Sequence, residues 1–526
     1  MTKAETTTRT VRVRTEVAAL PKTFDYVVPA AWAHDVRVGT RVRVPLHGRS
    51  VRGWVVATDP AADEATTGAA PPPADLLPLK SWLGWGPPED VVDLADWAAW
   101  RWAGTPAFFL RTASPDVIVR TLPVPPRPST SSPDVGRPDD PGSHPWAAAL
   151  AAPAPETMVR LPPATDLIDL VLSVADGARV QARGGSVVVL VPSTGWAERL
   201  VARLLRRGIA ASSDWAQARA GWPVVVGTRA SAWAPVPRLA AAVVLDAHDA
   251  AYREESAPTY SAVEVLRERA RRSAVPCLLV SPIPPVGLTA RSDLPTVALP
   301  LPEERAGWPA FERVDRRGAD PRTGMFSEEF VRLARSVLDD EGAARERGPL
   351  VCVYNRTGGA RLLACAHCGE LAQCTRCGAA VVRPRDEEIL RCPRCGETRP
   401  VVCPHCGRLR MKTLRAGVSR LREELAALLG VPVGEVSGRR AAGHSAAETA
   451  APAQPFERVV IGTEAVLHRV RRASAVAFLD IDLHLLAPRL SAVEETLSLF
   501  VRAGRLVGAR GSGATTARVL AQTRVP

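Results

Sequence analysis

Eight of the ten cysteines fall in one short window, as four CxxC pairs in the run CAHC-GELAQ-CTRC-GAAVVRPRDEEILR-CPRC-GETRPVV-CPHC. Each pair can direct two thiolates at one metal, and a tetrahedral zinc ion takes four ligands. In a chain with no secretory signal, clustered CxxC pairs indicate metal sites rather than disulfides. The window therefore predicts two bound Zn²⁺ ions, with an iron–sulfur cluster or unmetallated thiols as the alternatives.

Spacing also predicts how the pairs combine. The 14 residues between Cys377 and Cys392 hold two apolar stretches around a charged turn, which is the size of a hairpin, whereas the five residues between Cys368 and Cys374 are too few. One zinc is thus assigned to Cys374, Cys377, Cys392 and Cys395. The other is assigned to Cys365, Cys368, Cys403 and Cys406. Four thiolates leave no open coordination position, so both sites are structural, and His367 and His405 are expected at the surface.

The elements around this window divide the chain into segments. Residues 11–56 alternate apolar and polar residues between Pro and Gly, as a small β domain does. Residues 89–122 predict a short helical module closed by a strand. Residues 123–157, rich in Pro, Ser, Asp and Gly, predict a disordered linker.

Beyond the linker, short β-branched apolar runs alternate with helical stretches, which indicates buried parallel strands. Two groups occur, and they predict two parallel-sheet lobes with the cysteine window inserted in the second. The runs of the first lobe are 187–193, 223–228, 241–246 and 277–281; those of the second are 349–355, 457–463 and 475–482. Cys277 and Cys352 lie in such runs and are expected to be small buried hydrophobic residues.

Length and charge narrow the class of protein. A chain of 526 residues is expected to hold three or four domains. The net charge of +12 and the pI near 9.7 favour a polyanionic partner, although with only four lysines the arginine excess also fits a GC-rich coding bias. No apolar run of 18 residues occurs and the N-terminus is polar, so neither a membrane span nor a signal peptide is expected, and the cytoplasm is the predicted location.

Several short motifs stand in a fixed order around the cysteine window. They are Phe24-Asp25-Tyr26, Gly39, Lys80, Gly227-Thr228-Arg229, His248-Asp249-Ala250-Ala251-Tyr252, Asn355-Arg356, Gly462-Thr463 and Arg502-Ala503-Gly504-Arg505. Together with an eight-cysteine insertion in the second lobe, this series resembles the family of the replication-restart helicase PriA (primosomal protein N′). The resemblance covers almost the whole chain.

The resemblance implies a fold class of α/β type, with two RecA-like parallel-sheet lobes and an inserted double zinc-ribbon module. A small β DNA-end-binding domain and a short winged-helix-like domain precede the lobes. The implied boundaries are 1–88 for the β domain, 89–122 for the winged-helix-like module, 123–157 for the linker, 158–300 for lobe 1, 301–363 with 408–526 for lobe 2, and 364–407 for the zinc insertion.

The resemblance also implies a pocket for a nascent 3′ DNA end, in which an aromatic ring stacks on the terminal base and a carboxylate reaches the 3′-OH. The residues it implies are Phe24, Asp25, Tyr26, Gly39 and Lys80. The alternative is that the Phe-Asp-Tyr segment is an ordinary strand with two core aromatic residues.

The departures from the family pattern concern ATP. The family's Gly-rich phosphate loop ends in Gly-Lys-Thr, but the matching segment here reads RLPPATDLIDL, and none of the four lysines follows a glycine. The family's Asp-Glu-Glu-His aligns with Leu245-Asp246-Ala247-His248, or with Asp246 as a metal ligand if one residue is missing. Gly508 stands where a second arginine is expected, and Ser281-Pro282 matches a coupling motif only loosely. ATP is therefore not expected as a cofactor, and no catalytic residue is assigned.

Three functions are compatible with these features. The first is a DNA-binding primosome component that recognises stalled or abandoned replication forks and helps reload the replicative helicase, without helicase activity of its own. The second is an ATP-dependent 3′→5′ DNA helicase, and the third is a zinc-ribbon factor of transcription or RNA processing.

The first function implies branched and single-stranded DNA, primosome proteins and the helicase-loading machinery as partners, with no membrane, and a nucleoid-associated cytoplasmic location. Contact with single-strand-binding protein is left open, because the sequence stops at ALAQTRVP, about where the family's C-terminal domain is expected to begin.

Overall fold

The structure is a computed structural model that describes residues 9–17, 20–60, 76–126, 146, 156–181, 185–291, 293–319, 324–340, 347–354, 363–384, 388–413, 418–436, 457–510 and 517–525. Two compact units divide the chain: Met1–Arg160 with Asp166–Ala298, and Leu161–Thr165 with Leu299–Pro526. Most of the predicted linker lies outside the described residues, as does Asn355-Arg356. Among the described residues, no helix has the length and apolar character that crossing a bilayer requires.

The first unit begins with the predicted small β domain. Its strands are β1 (Thr10–Thr15), β2 (Thr23–Val27), β3 (Arg41–Leu46), β4 (Arg49–Thr58) and β5 (Ser81–Gly84), in the order β2-β1-β4-β3-β5. The segment 77–79 hydrogen-bonds to Val27 of β2, and the next residue donates to the Arg43 carbonyl of β3, so the sheet curls until its two edges meet. Alternate residues fill the interior with valines and aromatic side chains.

Two helices follow, α1 (Glu89–Arg101) and α2 (Pro106–Thr112). The strand predicted at the end of this module is not formed: residues 113–126 contain no strand. The helices share one hydrophobic core with Trp54 of the β domain and with the lobe that follows. In that core the ring centroid of Phe109 lies 5.3 Å from that of Trp233 and 5.7 Å from that of Tyr260.

The first lobe is a seven-stranded parallel sheet, as predicted. Its strands and helices are β6 (Glu156–Arg160), α3 (Ile168–Gln181), β7 (Ser186–Leu190), α4 (Thr194–Arg206), β8 (Ala211–Ser212), α5 (Trp215–Ala220), β9 (Val224–Gly227), β10 (Leu239–Leu245), α6 (Ala262–Arg272), β11 (Cys277–Val280), α7 (Val286–Thr289) and β12 (Thr296–Ala298). The strand order is β12-β6-β11-β10-β7-β9-β8. All four predicted strands are confirmed, and β6 begins at Glu156, within the segment predicted as linker. The predicted bounds of this lobe, 158–300, stay a prediction.

The second unit carries a six-stranded parallel sheet with the cysteine insertion. Its elements are α8 (Leu301–Ala306), β13 (Ala310–Asp315), α9 (Glu328–Asp339), β14 (Leu350–Val353), β15 (Leu363–Cys365), β16 (Ile389–Arg391), β17 (Thr398–Pro400), β18 (Met411–Thr413), α10 (Val418–Leu429), β19 (Val433–Val436), β20 (Val459–Gly462), α11 (Val466–Arg469), β21 (Ala475–Phe478), α12 (Asp482–Leu485), α13 (Ala492–Val507) and β22 (Arg518–Thr523). The lobe's strand order is β13-β22-β21-β14-β20-β19. The three predicted strands are confirmed as β14, β20 and β21.

Two paired strands flank the cysteine insertion: β15 and β18 run antiparallel, with Leu363 opposite Thr413. The predicted bounds of the module, 364–407, stay a prediction. Cys277 and Cys352 lie outside it, in β11 and β14, and both are buried, as predicted. Burial raises the pKa of both thiols, which keeps them protonated.

Candidate metal centres and nucleic-acid interface

All four CxxC pairs form the same tight turn. In each, the N–H of the glycine after the second cysteine donates to the carbonyl of the first cysteine, at 2.9 to 3.1 Å. The glycines are Gly369, Gly378, Gly396 and Gly407, with φ between +70° and +77°. Nothing lies within 4 Å of a Cβ built on any of them, so glycine is favoured by the left-handed backbone and not by lack of space.

The turns bring the thiols together in the predicted nested pairing. One cluster is Cys365, Cys368, Cys403 and Cys406, and the other is Cys374, Cys377, Cys392 and Cys395; within each, all Sγ atoms lie within 4.8 Å of one another. The closest Sγ pairs are 3.5 to 3.6 Å apart. Tetrahedral zinc with Zn–S near 2.3 Å places its sulfur atoms about 3.8 Å apart. Both clusters therefore fit a divalent metal held by four thiolates.

Backbone amides favour the thiolate form at the first cysteine of two turns. Burial alone would raise the pKa of Cys365, but N–H groups of Cys368 and His367 outweigh it and lower the pKa to about 6. The same balance lowers the pKa of Cys374 to about 7, where the donors are the N–H groups of Cys377 and Arg376. A thiolate is the form that binds zinc. His367 and His405 are exposed, as predicted, and belong to neither cluster.

Among its described residues, the predicted hairpin between Cys377 and Cys392 is joined by one reciprocal backbone pair. Val382 and Arg391 exchange both backbone hydrogen bonds, at 2.9 and 2.8 Å, and the turn between them lies partly outside the described residues. The insertion rests on its own lobe, where the Ala380 N–H donates to the Leu486 carbonyl at 3.0 Å. An apolar cluster that includes Leu371 covers this contact.

The residues of the expected 3′-end pocket lie on different sides of the β domain. Phe24 and Tyr26 are directed toward the interior, where Tyr26 is 3% exposed and its hydroxyl donates to the Pro45 carbonyl. Asp25 lies between them and is directed outward. This follows from the period of two in a strand, a signal already present in the sequence.

Asp25 has a partner that sequence reasoning missed. Arg12, directly opposite on β1, donates from Nε to Oδ1 at 2.9 Å and from a terminal nitrogen to Oδ2 at 3.1 Å. The two side chains are 22% and 19% exposed. A bidentate pair of this kind fixes the carboxylate's orientation and keeps one edge of it at the surface.

Lys80 and Gly39 also differ in what they can contact. Lys80 is exposed and directly follows residues 77–79, which hydrogen-bond to Val27 of β2, so it lies beside that strand. Gly39, at φ +85°, is covered: a Cβ there would lie 1.6 Å from the carbonyl oxygen of Pro87. Gly39 therefore allows two backbone segments to meet, while Lys80, Asp25 and in part Phe24 reach solvent.

The segment that should hold a phosphate loop joins β6 to α3. Asp166 lies there, and its Oδ1 accepts the N–H of Ile168, the first residue of the helix, at 3.1 Å. The same carboxylate forms a bidentate pair with Arg203 of α4, with one distance of 2.9 Å. Burial would raise the pKa of Asp166, but hydrogen bonds from Arg203 and Ile168 outweigh it and lower the pKa. An internal anion thus occupies the helix N-terminus, which in a phosphate loop would face phosphate.

The acidic motif follows β10. Leu245 is the last residue of that strand and is buried, with its carbonyl accepting the Tyr252 hydroxyl. Asp246 comes next, buried, at φ +55°. His248 is hydrogen-bonded through Nδ1 to the Ser281 hydroxyl at 2.8 Å, so the segments that follow β10 and β11 meet at one edge of the sheet. Leu245 thus takes the strand-end position, and Asp246 and Ala247 follow directly after the strand.

In the second lobe, Gly462-Thr463 ends β20, and Arg502 and Arg505 lie on α13. Arg502 contacts His468 of α11. Gly504 has no room for a Cβ, which would lie 2.9 Å from Pro163 of the same unit. Gly508 ends α13 at φ +89°, a backbone conformation that disfavours the arginine expected there.

A pair of buried carboxylates follows β21. Asp482 accepts hydrogen bonds from the Thr523 hydroxyl and the Arg524 N–H, both on or next to β22. Asp480 is 9% exposed, and burial raises its pKa to about 7, with the nearby Asp482 carboxylate adding to the effect. Arg316 lines the same small pocket. Sequence reasoning assigned neither aspartate a role.

The N-terminal β domain and the two helices after it are similar to a known DNA-binding domain. Residues 11–115 match the family model of the 3′ DNA-binding domain (3′BD) of PriA. The match includes both helices α1 and α2, so it takes in most of the module that the resemblance assigned to a winged-helix-like domain. That assignment of residues 89–122 stays a prediction.

Relatives match over longer stretches. The probable replication restart protein PriA of Mycobacterium tuberculosis H37Rv is 28% identical over 569 residues, which covers 97% of this chain and 80% of that protein. The PriA proteins of Bacillus subtilis and Thermotoga maritima are 26% and 28% identical, over 48% and 41% of this chain. In those two, the match spans about a third of the relative's length, 33% and 31%.

Solved structures show a more distant likeness. The Pyrococcus furiosus Hef helicase domain gives a TM-score of 0.33 at 11% identity, covering 72% of this chain and 94% of that one. Yeast Dbp5 bound to RNA and ADP BeF3 gives 0.35, covering 70% and 78%. The order of motifs, the match to the 3′ DNA-binding domain and the near full-length match in mycobacteria agree on one likeness: the chain is similar to the PriA family of replication restart proteins.

Proposed function

We propose that this protein binds branched DNA at stalled or abandoned replication forks and helps reload the replicative helicase, without an ATP-driven motor of its own. Primosome proteins and the helicase-loading machinery are its proposed partners. The N-terminal β domain supplies recognition of the free 3′ end, and the lobes supply a scaffold. Two Zn²⁺ ions stabilise the insertion through the eight thiolates.

The main observation in support of a protein without ATP-driven motor activity is the position of the Asp166 carboxylate at the start of α3. A phosphate-binding loop presents unpaired N–H groups and a lysine to the nucleotide. Here the first helical N–H is taken by a carboxylate, which also repels phosphate. Arg203, a cation close to this helix end, is already paired with the same carboxylate.

The acidic motif supports the same proposal. Hydrolysis needs a carboxylate that holds magnesium and a second group that orients water. Asp246 can serve as the first, but its neighbour Ala247 cannot act as the second. Removing one such group commonly lowers turnover by two to three orders of magnitude, so the combined losses leave no turnover above background.

Recognition of the DNA end is proposed for the outward-directed residues. The surface edge of the Asp25 carboxylate, held by Arg12, accepts the 3′-OH, and Lys80 neutralises a nearby phosphate. Phe24, which is partly exposed, offers an edge for the terminal base. Tyr26 and Gly39 support this site from within the domain.

The test pairs activity with binding on the same synthetic fork. We expect no ATP hydrolysis and no strand separation, while fork binding persists and is weaker for a 3′-phosphate than for a 3′-OH end. ATP turnover near 1 s⁻¹, an ordinary enzyme rate, in a preparation free of other helicases would refute the motor's loss. Asp25→Asn should abolish the preference for the 3′-OH, worth about tenfold for a hydrogen bond to a charged group, with Asp59→Asn as the matched control.

A further inference from the structure

The outer face of the β domain is covered at one end and open at the other. At the covered end, the Trp54 indole donates to the Ser114 hydroxyl at 2.8 Å, and Arg41 donates to the Pro115 carbonyl at 2.9 Å. Arg14 pairs there with Asp96 of α1 at 3.1 Å. Helix α1 and the residues that follow α2 therefore contact the polar side chains of this half of the face.

The open end carries two arginines directly opposite each other. Arg43 of β3 is in register with Arg52 of β4, two positions along from the pair formed by Arg41 and Trp54. Residues opposite each other in an antiparallel pair, and those two positions along, share one face. Arg43 is half-buried and Arg52 is exposed.

Neither arginine has an acidic partner. Among the residues that the structure describes, Arg43 and Arg52 form no salt bridge, although their Cα atoms lie about 5 Å apart as a cross-strand pair. Like charges directly opposite in a sheet are destabilising. Arg12 and Arg14 of the same domain, by contrast, are each paired with a carboxylate. An unpaired cationic pair therefore points to a ligand that carries negative charge.

The position of the pair indicates which ligand. Around the outside of the curled sheet, β2, the segment ending in Lys80, β3 and β4 follow one another, because Val27 bonds to residues 77 and 79 and the Lys80 N–H donates to the Arg43 carbonyl at 2.8 Å. Asp25, Lys80, Arg43 and Arg52 thus lie on successive segments around the curled sheet, Lys80 just before β5. A chain of phosphates that starts at the 3′-end site and crosses the strands meets Lys80 first and the two arginines next.

We propose that Arg43 and Arg52 form a second nucleic-acid contact, which binds successive phosphates of the DNA strand leading to the recognised 3′ end. The inference rests on the proposed function, because it takes the DNA end as bound at Asp25. Such a contact carries no sequence or end preference and fixes the register of the DNA on the domain. Arginine suits this role because its planar guanidinium makes bidentate contacts to phosphate.

The test measures the salt dependence of fork binding by the full-length protein. Each phosphate contact contributes about 0.9 to the slope of log K against log salt for duplex DNA. Arg43→Gln/Arg52→Gln should reduce the slope by about two and weaken binding about tenfold at moderate salt. Arg43→Lys/Arg52→Lys should keep the slope, since lysine retains the charge.

The matched control is Arg206→Gln/Arg253→Gln, which removes two exposed arginines of the first lobe. Equal slopes for the glutamine variant and this control would overturn the proposal. So would loss of 3′-OH preference with an unchanged slope, since the arginines would then belong to the end site. Thermal midpoint and zinc content check that the variants fold. Wild-type protein that binds no fork would refute the proposed function itself, an outcome distinct from a wild type that binds while the glutamine variant matches it.

Discussion

At the start of α3 the carboxylate of Asp166 takes the hydrogen bond that a phosphate loop offers to its nucleotide. One aspartate there both caps a helix and ties it to α4 through Arg203. The absence of Gly-Lys-Thr is visible in the sequence, but this replacement is not, because it depends on the approach of α4. At the residue scale, this site therefore differs from a phosphate loop in two ways: it lacks Gly-Lys-Thr, and a carboxylate lies where phosphate would bind.

Replacing Asp166 separates its two roles. Asp166→Ala should lower the free energy of unfolding by about 1 kcal/mol, as for loss of a helix cap, and Asp166→Asn should cost less because asparagine also caps. The pKa of Asp166 is lowered, so its contribution is full above the unfolded pKa near 4 and is lost as pH falls through the folded pKa. Denaturant titrations at pH 7 and pH 3 measure this. ATP binding restored by Asp166→Asn would contradict our account, because no lysine is present to hold the phosphates.

Asp480 should make the second unit less stable as pH rises. Its folded pKa is raised to about 7, above the unfolded value near 4, so the folded state binds more protons between these pH values and stability falls with increasing pH. Between pH 4 and pH 7 the cost of ionising Asp480 in the folded state grows by about 1.4 kcal/mol per pH unit, and above pH 7 it levels off. Asp480→Asn should therefore stabilise the protein more at pH 8.5 than at pH 6. An equal effect at both values, measured by thermal unfolding with zinc bound, would show that Asp480 stays ionised.

At the scale of elements, some features follow from the local sequence pattern, and others depend on contacts between distant segments. Both metal sets were predictable because each CxxC turn closes on itself through local backbone bonds. The buried strands β7, β9, β10 and β14 were predictable from their β-branched apolar runs. The site residues were predictable only in part: alternation in β2 places Asp25 apart from Tyr26, but the pairing with Arg12 depends on register across two strands.

The strands that sequence reasoning missed carry polar residues. In β22, Gln522 is 2% exposed, and its amide bonds to the carbonyls of Leu479 and Met325 while its oxygen accepts from Ser327 N–H and Arg316. A buried glutamine in a strand is tolerated only when its partners are supplied from elsewhere. Those partners come from segments up to 206 residues away, which no local window contains.

Nested metal ligation has a direct chemical test. Cys374→Ser and Cys365→Ser should each release one of two zinc equivalents, and the double variant should release both, because the two thiols belong to different clusters. Metal analysis of purified protein gives the count, and Cys352→Ser, outside the insertion, is the control. If the two single variants release the same ion, so that the double variant keeps one equivalent, the pairing is wrong.

At the scale of the molecule, segments that the sequence pattern indicates as separate domains pack together in the first unit. The β domain, helices α1 and α2, and the first lobe contribute to one hydrophobic core. A second link is Trp85, whose ring lies between the guanidinium groups of Arg37 and Arg219, at 4.7 and 4.8 Å. Burial lowers the pKa of Arg219 to about 10, and the guanidinium remains charged at neutral pH. The proposed DNA-end domain is therefore held firmly on the lobe beside it.

Truncating one side chain of this core should unfold both parts together. Phe109→Ala should cost about 3 to 5 kcal/mol, as for other buried phenylalanines. Hydrogen exchange in strands β1–β4 and in β7–β10 should accelerate in parallel, while both zinc ions remain bound in the second unit. Faster exchange confined to the β domain would show that the domain and the lobe unfold independently.

The four-thiolate clusters have a consequence for the charge that DNA meets. Residues 363–413 contain nine arginines and lysines and five acidic residues, a formal excess of +4. Eight thiolates and two divalent ions together contribute −4, which leaves the metal-loaded insertion formally neutral and lowers the charge of the whole chain from +12 to +8. Removal of the metal by a chelator, followed by protonation of the thiols, would raise the formal charge of the chain from +8 back to +12. Metal-free protein should therefore bind DNA through a newly cationic insertion, so only zinc-loaded protein reports the affinity that belongs to the rest of the chain.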